Sequence, residues 1–523
     1  MANLYDKAGL VNIPVGYQDG FLYNIKPEDN TLGFRFNRDS AATRVNKEGL
    51  IEQVGYFGPE LIINGDFATD TSWGKLNAII SGGKATVNVV SGAYSYINQS
   101  ESFTSGKKYK ITAQVKGLSG SNAKEIRFRD NSANTGGLNT SNGIVTLDES
   151  TQNIKLEWVA NSNSVEIIIE RNTSAGDYSF EIDNVSVVEV LGDKPRIDYT
   201  DSLTSPNFLL EPQSTNLLPY SEDFSQWTKE ATVTLTSNYG ISPDGTKNST
   251  RIQMDANDSI YISTTSGNTF SVYIKGKQGE TIRLANGGSL THTLTGEWDR
   301  VSLYDSGNFS SLATINTYSS ATARDVEIFG AQIEALSYTS SYIPTAGSTV
   351  TRTQETCLNA GSSYTFNSVE GVLYAEIAAL DDDGTFRVLS INNGTNDNTI
   401  KVGYRTTSNA IYYEVRSGGV SQAFQIYTTA DIKQFHKVAV LYQQNNFKLF
   451  INGVNVLSDT NGITPVGLNN LSFDVNSVAP FYGKVKGVCV FNEVLTDDEL
   501  QQLTGPEYNS FAALAAAYNY TVI

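Results

Sequence analysis

Histidine is nearly missing from this chain: His292 and His436 are the whole supply in 523 residues. That scarcity removes most acid–base chemistry, since His is the side chain that titrates near neutrality. No Gly-x-Ser-x-Gly, His-Glu-x-x-His or phosphate-loop pattern takes its place. Two cysteines, Cys357 and Cys489, cannot build a disulfide framework. Cys489 lies in the apolar run Val488-Cys489-Val490-Phe491 and reads as a small buried hydrophobe. Two thiols suit folding in a reducing cytosol, with pairing to each other left open. The longest apolar run, Phe511 to Ala517, is too short to span a bilayer, and the start Met1-Ala-Asn-Leu-Tyr-Asp-Lys-Ala has no signal-peptide character. A soluble chain without its own export signal is the expectation. Cations are also short, 37 Lys plus Arg against 55 Asp plus Glu, and the resulting −18 repels phosphate backbones, so no nucleic-acid partner is expected.

What is plentiful is Tyr (28) and Phe (23), scattered among Ser, Thr, Asn and Gly. Short pleated strands joined by polar turns produce that bias. Phe435 to Val456 shows it in miniature. His436, Val438, Val440 and Tyr442 alternate with Lys437, Ala439 and Leu441, as on the two faces of a strand. Gln443 to Asn446 supply turn chemistry, Lys448 to Ile451 begin a second strand, and Asn452-Gly453 signals a tight hairpin because both positions accept positive φ. Two hairpins in so short a stretch mean an antiparallel meander, and the fold class expected for the chain is all-β: tandem antiparallel sandwiches.

The same phrase resembles the laminin-G/concanavalin-A-like sandwiches, in which an aromatic-His-x-Val strand precedes one ending in Asn-Gly or Asp-Gly. That resemblance implies a domain over 357–506 that binds glycans or protein surfaces, with His436 structural. Gly371-Val-Leu-Tyr-Ala-Glu-Ile377 opens the strands and Gly483-Lys-Val-Lys-Gly-Val-Cys-Val-Phe491 closes them. Thr496-Asp-Asp-Glu499-Leu500 is a capping box on a short terminal helix, stopped by Gly505-Pro506. In the tail 507–523, Phe511, Leu514 and Tyr518 could share one side of a further helix.

Upstream, two segments repeat one another. Leu61-Ile-Ile-Asn-Gly-Asp66-Phe67 with Trp73 parallels Leu217-Leu-Pro-Tyr-Ser-Glu-Asp223-Phe224 with Trp227. Val115-Lys116-Gly117 matches Ile274-Lys275-Gly276, and Glu157-Trp158 matches Glu297-Trp298. Glu181-Ile-Asp183-Asn184-Val185-Ser-Val187 matches Glu327-Ile-Phe329-Gly330-Ala331-Gln-Ile333. Four landmarks in one order predict two copies of one sandwich, over 59–193 and 216–356. They resemble jelly-roll carbohydrate-binding modules, which often hold calcium where the first and last strands meet. Asp66 and Asp183 match those positions, so the resemblance implies a structural calcium on that pair, with simple turn-capping as the alternative. The second copy has Phe329-Gly330 in place of Asp183-Asn184.

Further phrases resemble those of tailed-phage virion proteins. They are Phe34-Arg-Phe-Asn-Arg38-Asp-Ser40-Ala-Ala-Thr43-Arg44-Val45-Asn46, Pro195-Arg-Ile-Asp-Tyr199, Leu209-Leu-Glu211-Pro-Gln-Ser-Thr-Asn-Leu-Leu218 and Tyr338-Thr-Ser-Ser-Tyr342 through Arg352. The first and second commonly lie close together in such proteins, whereas here over 140 residues intervene. The first jelly roll therefore reads as inserted into an N-terminal virion-attachment unit, 1–58 continuing at 194–215. The implied protein is a fibre, spike or head-decoration component of a virion. It would contact other virion proteins through its N-terminal unit and host-surface polysaccharide through its sandwiches, as a homotrimer without membrane insertion. A polysaccharide-degrading tailspike, a purely architectural capsid decoration and a secreted adhesin are the alternatives.

Residue by residue, no catalytic group is expected. His292 sits in an alternating strand with no nearby acid. Glycoside cleavage needs only two carboxylates, but Asp381-Asp382-Asp383-Gly384 reads as a solvated turn, and Glu181 and Asp183 merely share a strand face. For sugar stacking, Tyr94 and Tyr96 alternate on one face, while Tyr412 and Tyr413 point to opposite faces, so that at least one could be exposed. No individual glycan contact is assigned.

Overall fold

The computed structural model describes residues 6–506 except 19–20, 27–32, 39, 55–56, 119, 131–137, 139–142, 161–162, 164–165, 173–175, 191–194, 265–266, 306–311 and 319–321. The tail read as a helix from Ser510 lies outside these. Among the described residues the regular structure is almost entirely strand, in antiparallel sheets, and the chain forms two compact units: 56–192, and 1–55 joined with 193–523.

Unit 56–192 is a jelly roll with its own core, in which Phe67, Trp73, Phe128, Trp158 and Phe180 are buried. Ten strands, β1 to β10, run Gly74–Leu76, Ala78–Ile80, Ala85–Val89, Tyr96–Ser100, Lys108–Gly117, Glu125–Arg129, Ile144–Thr146, Thr151–Val159, Glu166–Arg171 and Tyr178–Val190. One sheet has the order β7-β6-β9-β4-β1 and the other β8-β5-β10-β3-β2. The burial of β5 alternates strictly, intermediate then buried, over ten residues, as a strand with one face on a core requires. Phe57–Glu60 pairs with the end of β10, Phe57 opposite Val190, so the chain enters and leaves this unit on adjacent strands. Adjacent ends allow a domain to be inserted without disturbing its host.

Residues 216–346 of the other unit repeat this topology strand for strand. Here β11 to β20 run Thr228–Lys229, Thr234–Thr236, Thr250–Met254, Ser259–Ser263, Thr269–Gly276, Thr281–Asn286, Gly288–Thr293, Asp299–Tyr304, Leu312–Asn316 and Arg324–Glu334. Their sheets are β17-β16-β19-β14-β11 and β18-β15-β20-β13-β12, the first copy's orders with ten added to each number. Details repeat too. Trp73 Nε1 donates to Asn64 O at 3.0 Å and Trp227 Nε1 to Tyr220 O at 3.1 Å. Val185 N donates to Gly65 O at 2.9 Å, and Ala331 N to Ser221 O at 2.8 Å. β10 and β20 share a bulge at the matching place, where Asn184 (φ 51°) and Gly330 (φ 61°) take left-handed backbone. Asn tolerates that region and Gly meets it freely. At 330 the glycine is also required by space, since a Cβ there would come within 3.2 Å of the Tyr273 and Tyr342 rings.

The C-terminal sandwich departs from the sequence reading at its N-terminal side. Its larger sheet contains Glu370–Ala379, His436–Gln443, Asn446–Ile451, Val454–Asp459 and the closing strand Gly483–Phe491. The turns fall where expected, with Asn445 (φ 57°), Asn452 (φ 49°) and Gly453 (φ 82°) left-handed. Val438, Val440 and Tyr442 enter the core between the sheets, while Ala439 and Leu441 are covered by Leu495, Leu500 and Leu503 of the terminal segment. Both halves of the capping box form on the helix Asp497–Thr504. The described strands of the stretch read as an N-terminal unit, 1–58, do not stand apart from the C-terminal domain. Ala8–Gln18, Phe21–Lys26 and Phe34–Asn37 extend this same sheet, Leu10 opposite Val490, and Asn207–Leu210 pairs with the other half of the closing strand, Phe208 opposite Val485. The closing strand would otherwise expose a free edge, and these two strands cover it. Cys357 and Cys489 are free, buried in cores on the two sides of this sheet; burial raises both thiol pKa values, Cys489 to about 12.

Between the second jelly roll and this sandwich lies a buried ionic hub. Arg38, Arg196, Arg352 and Glu355 have fully buried side chains and Glu211 is 4% exposed. Arg196 Nε donates to Glu355 Oε1 at 2.9 Å, and its Nη1 reaches Glu211 Oε2 at 2.6 Å and Thr43 O at 3.2 Å. Arg38 Nη1 donates to Glu355 Oε1 at 2.5 Å and its Nη2 to Val54 O at 3.0 Å. Arg352 bonds Glu211 at 2.9 Å and Pro212 O at 2.8 Å, and Ser341 N and Oγ close on Glu211 at 2.9 and 2.6 Å. The four phrases singled out in the sequence thus converge on one cluster. Burial alone would raise both glutamates. Arg352 and Arg196 around Glu211, and Arg196 and Arg38 around Glu355, outweigh it and hold both below the usual carboxylate range.

Two outcomes follow from this architecture. Joining residue 55 to 193 by a short linker should leave the remaining unit folded, with its melting transition within a few degrees of the parent; loss of that transition in calorimetry would contradict an inserted domain. Glu355→Gln should destabilise by about 3–5 kcal/mol in denaturant titration, because it strands buried guanidiniums. Since the folded carboxyls titrate below their unfolded value near 4.3, the hub's contribution is complete above that pH and fades as pH falls through the depressed range. Acid unfolding should therefore be steeper in the parent than in Glu355→Gln, and equal slopes would refute the assignment.

Candidate functional site

The strand Ala410–Ser417 reads Ala-Ile-Tyr-Tyr-Glu-Val-Arg-Ser and lies next to the edge strand Val420–Thr428 in the smaller sheet of the C-terminal sandwich. Ile411, Tyr413 and Val415 fill the core, which turns Tyr412, Glu414 and Arg416 to the other face. Register brings Lys401 opposite Glu414 on one side and Phe424 on the other. Glu414 Oε2 accepts from Tyr412 Oη at 2.6 Å and Lys401 Nζ at 3.1 Å, and its Oε1 from Arg416 Nη1 at 3.3 Å. Burial opposes its ionisation, yet Tyr412, Lys401 and Arg416 prevail and lower its pKa. A carboxylate held ionised by three donors is a fixed acceptor and a poor proton donor.

Beside it, the Arg405 guanidinium lies over three rings: Tyr412 at 5.0 Å, Phe386 at 5.6 Å and Phe424 at 5.9 Å. Phe424 is 44% exposed. The face therefore sets an exposed ring and the half-buried Arg405 and Arg416 over a buried polar cluster of Glu414, Lys401 and Tyr412, and an exposed ring beside a cation suits a sugar's apolar face and hydroxyl edge. Tyr412 and Tyr413, whose opposite faces left at least one able to be exposed, are both buried, Tyr413 in the core and Tyr412 beneath Arg405, Phe386 and Phe424. Sequence alternation marks Tyr412, Glu414 and Arg416 as one face. Lys401, Arg405, Phe386 and Phe424 join them only through strand register.

In the first jelly roll the comparable face is that of the sheet containing β4, β6 and β9. Glu170, almost fully buried, accepts from Arg127 Nε at 3.1 Å and Arg129 Nε at 3.0 Å, and lies opposite Tyr96 in register. Tyr94 is 67% exposed, with the Arg171 guanidinium 5.5 Å from its ring centre.

The expected cation pair sits where β10 bulges against the opening segment. Asp66 is exposed, and its Oδ1 accepts from Ala68 N at 3.3 Å. Asp183 Oδ1 accepts from Asn184 N at 2.7 Å. Carboxylate oxygens suit a hard cation. No group of three or more His, Cys, Asp or Glu is placed to hold a metal ion among the described residues, so a cation here would take its other ligands from backbone carbonyls and water.

The remaining acids act as ties. Asp382 accepts from Asn409 N at 3.1 Å, Asp383 from Thr385 N at 3.0 Å, and Glu181 from Lys84 Nζ at 3.1 Å. His292, read as lacking an acid, has Asp299 Oδ2 3.3 Å from its Nε2, because the turn after β17 brings β18 back beside it. His436 is buried with Nδ1 2.8 Å from Gln434 O, and burial lowers its pKa.

Residues 363–501 match the family model described as the concanavalin A-like lectin/glucanases superfamily, and the C-terminal domain is a laminin-G-like sandwich of that kind. No curated protein matches the chain. Among solved structures, leech intramolecular trans-sialidase is 19% identical over 29% of this chain and 27% of that one, with a TM-score of 0.25. This chain thus spans about a quarter of the leech enzyme. Domain 4 of AbnA, an extracellular arabinanase from Geobacillus stearothermophilus, in complex with arabinotriose, is 15% identical over 29% and 73%, TM-score 0.24. The tandem CBM22 modules of Paenibacillus barcinonensis Xyn10C are 13% identical over 54% and 98%, TM-score 0.20. None of these three likenesses bears on function.

Proposed function

We propose that this protein is a virion component of a tailed phage, a fibre, spike or head-decoration protein, whose β-sandwiches bind host-surface polysaccharide without cutting it. The observation that carries the binding half is the lectin-superfamily match over 363–501, in a domain whose smaller sheet presents Phe424 and Arg405 on its outer face above the buried Glu414. The virion half rests on the sequence phrases that resemble virion proteins. Homotrimeric assembly would multiply weak sites by avidity. Binding rather than hydrolysis is favoured because Glu414 is already held by three donors and the Asp381–Asp383 cluster ties loops.

Single-site affinity is expected on the order of 0.1 to 1 mM, with far tighter retention of the assembled oligomer. Purified protein incubated with host polysaccharide should be retained while the polymer keeps its length. Progressive shortening would make the protein a depolymerase, and no retention on any host fraction would leave an architectural role.

Asp66 and Asp183 together hold a structural calcium in this reading. Chelation should then lower the melting temperature of the first jelly roll and leave the second unchanged, since Phe329 stands where Asp183 would be, and a ligand of the native state alone stabilises it by mass action. Identical melting with and without chelator would remove the cation from the account.

A further inference from the structure

A cleft of about 690 Å³ opens above the ionic hub, between the N-terminal hairpin formed by Ala42–Val45 and Ile51–Val54, the outer face of β15 and β18, the segment Tyr338–Tyr342 and the edge of the C-terminal sandwich at Lys484. Its wall is set by register. Tyr273 lies opposite Arg300, the ladder ends at Ile274 opposite Asp299, and the next residues, Lys275 and Trp298, line the same wall, so two rings and two cations share one patch. The Trp298 ring is fixed by its Nε1, which donates to Ile241 O at 3.1 Å.

The charges of this cleft do not cancel internally. Asp198 accepts from Val45 N and Thr200 N, both at 2.9 Å, and Glu211 is consumed by the hub. Arg44 is matched by Glu52 at 2.6 Å and Lys484 by Asp201 at 2.8 Å. Lys275 and Arg300 have no carboxylate partner among the described residues; Glu327, opposite Lys275 in register, accepts from Ser249 Oγ at 2.6 Å. Arg300 spends Nη1 on Ser340 O at 2.7 Å and Nη2 on Ser271 Oγ at 3.3 Å, while its Nε is buried without an acceptor. The Tyr338 hydroxyl is likewise buried and unpartnered. Buried donors without acceptors are costly, and here they line one cavity beside an aromatic ring.

We infer that this cleft binds an acidic saccharide, its ring stacked on Trp298 and its carboxylate taken by Lys275 and Arg300. The inference rests on the glycan-binding reading and adds to it the class of sugar and the place. The test is ligand-observed NMR of the full chain with glucuronate and galacturonate disaccharides, their methyl esters, and inorganic phosphate. The acids should bind on the order of 1 mM and the esters at least about tenfold more weakly, because the ester loses the charge that strengthens hydrogen bonds from Lys275 and Arg300. Lys275→Met should weaken the acids by a similar factor without lowering the melting temperature. Trp298→Ala should weaken acids and esters alike. Equal binding of acid and ester, no effect of Lys275→Met, or no uronate binding at all would overturn the assignment. Phosphate displacing the uronates at equal concentration would reduce the cleft to a simple anion site and overturn it as well. Retention on neutral host polysaccharide without uronate binding would sink this inference alone, whereas absence of both would sink the glycan-binding reading too.

Discussion

The hub of Arg38, Arg196, Arg352, Glu211 and Glu355 is the condition on which the larger unit depends. Placing five charges out of water is expensive, and their mutual attraction repays it only when geometry and hydrogen bonding are complete. An apolar cluster tolerates one missing member with a graded loss. A buried ionic cluster does not, because each absent partner leaves an uncompensated charge. The strand ending at Asn37, the Arg196–Asp198 strand, the Glu211 segment and the 340–355 segment must therefore arrive together. Their arrival fixes the N-terminal hairpin on the second jelly roll, through Thr43 Oγ1 to Tyr342 O at 2.5 Å and Ile51 N to Pro243 O at 2.9 Å, and it forms the floor of the cleft above.

The two jelly rolls show one topology turned to two uses by a few side chains. At the shared bulge the first copy carries Asp183 and an exposed Asn184. The second carries Phe329 and Gly330, and the missing Cβ lets the Tyr273 and Tyr342 rings close over the backbone. Those rings, with Phe329, Ile51 and Trp298, form a small core outside the sandwich proper. The second copy thus spends its bulge on seating the N-terminal hairpin, where the first leaves polar groups facing outward.

Much of this architecture was legible in the sequence, and for identifiable reasons. Hairpins at Gln444-Asn445 and Asn452-Gly453 follow from local alternation and turn chemistry, and the jelly-roll repeat from landmarks that keep their order. The merging of residues 8–37 with the C-terminal sheet was not legible, because pairing Leu10 with Val490 depends on closure across almost the whole chain. The virion-like phrases stood out as phrases, but why they travel together needed Arg38 beside Glu355, 317 residues apart. Site residues fared worse. Strand period told which side of the sheet Tyr412 faces, yet exposure was decided by Phe424 on one neighbouring strand and Arg405 just past the end of the other. His292 was misjudged for the same kind of reason: Asp299 reaches it across a turn.

Overall charge and local charge act at different ranges here, and the difference bears on recognition. A chain of net −18 repels acidic polymers at long distance. At physiological salt that repulsion decays over roughly 8 Å, so it slows encounter more than it weakens a formed contact. Inside a cleft the balance is local: Lys275 and Arg300 lack carboxylate partners among the described residues, while Asp198 and Glu211 are satisfied by backbone amides and buried arginines. An acidic sugar would be discouraged everywhere on this surface except where donors are preorganised and water is partly excluded. The general negative field then sharpens the preference for that one place, since weak non-specific binding of anions elsewhere is suppressed.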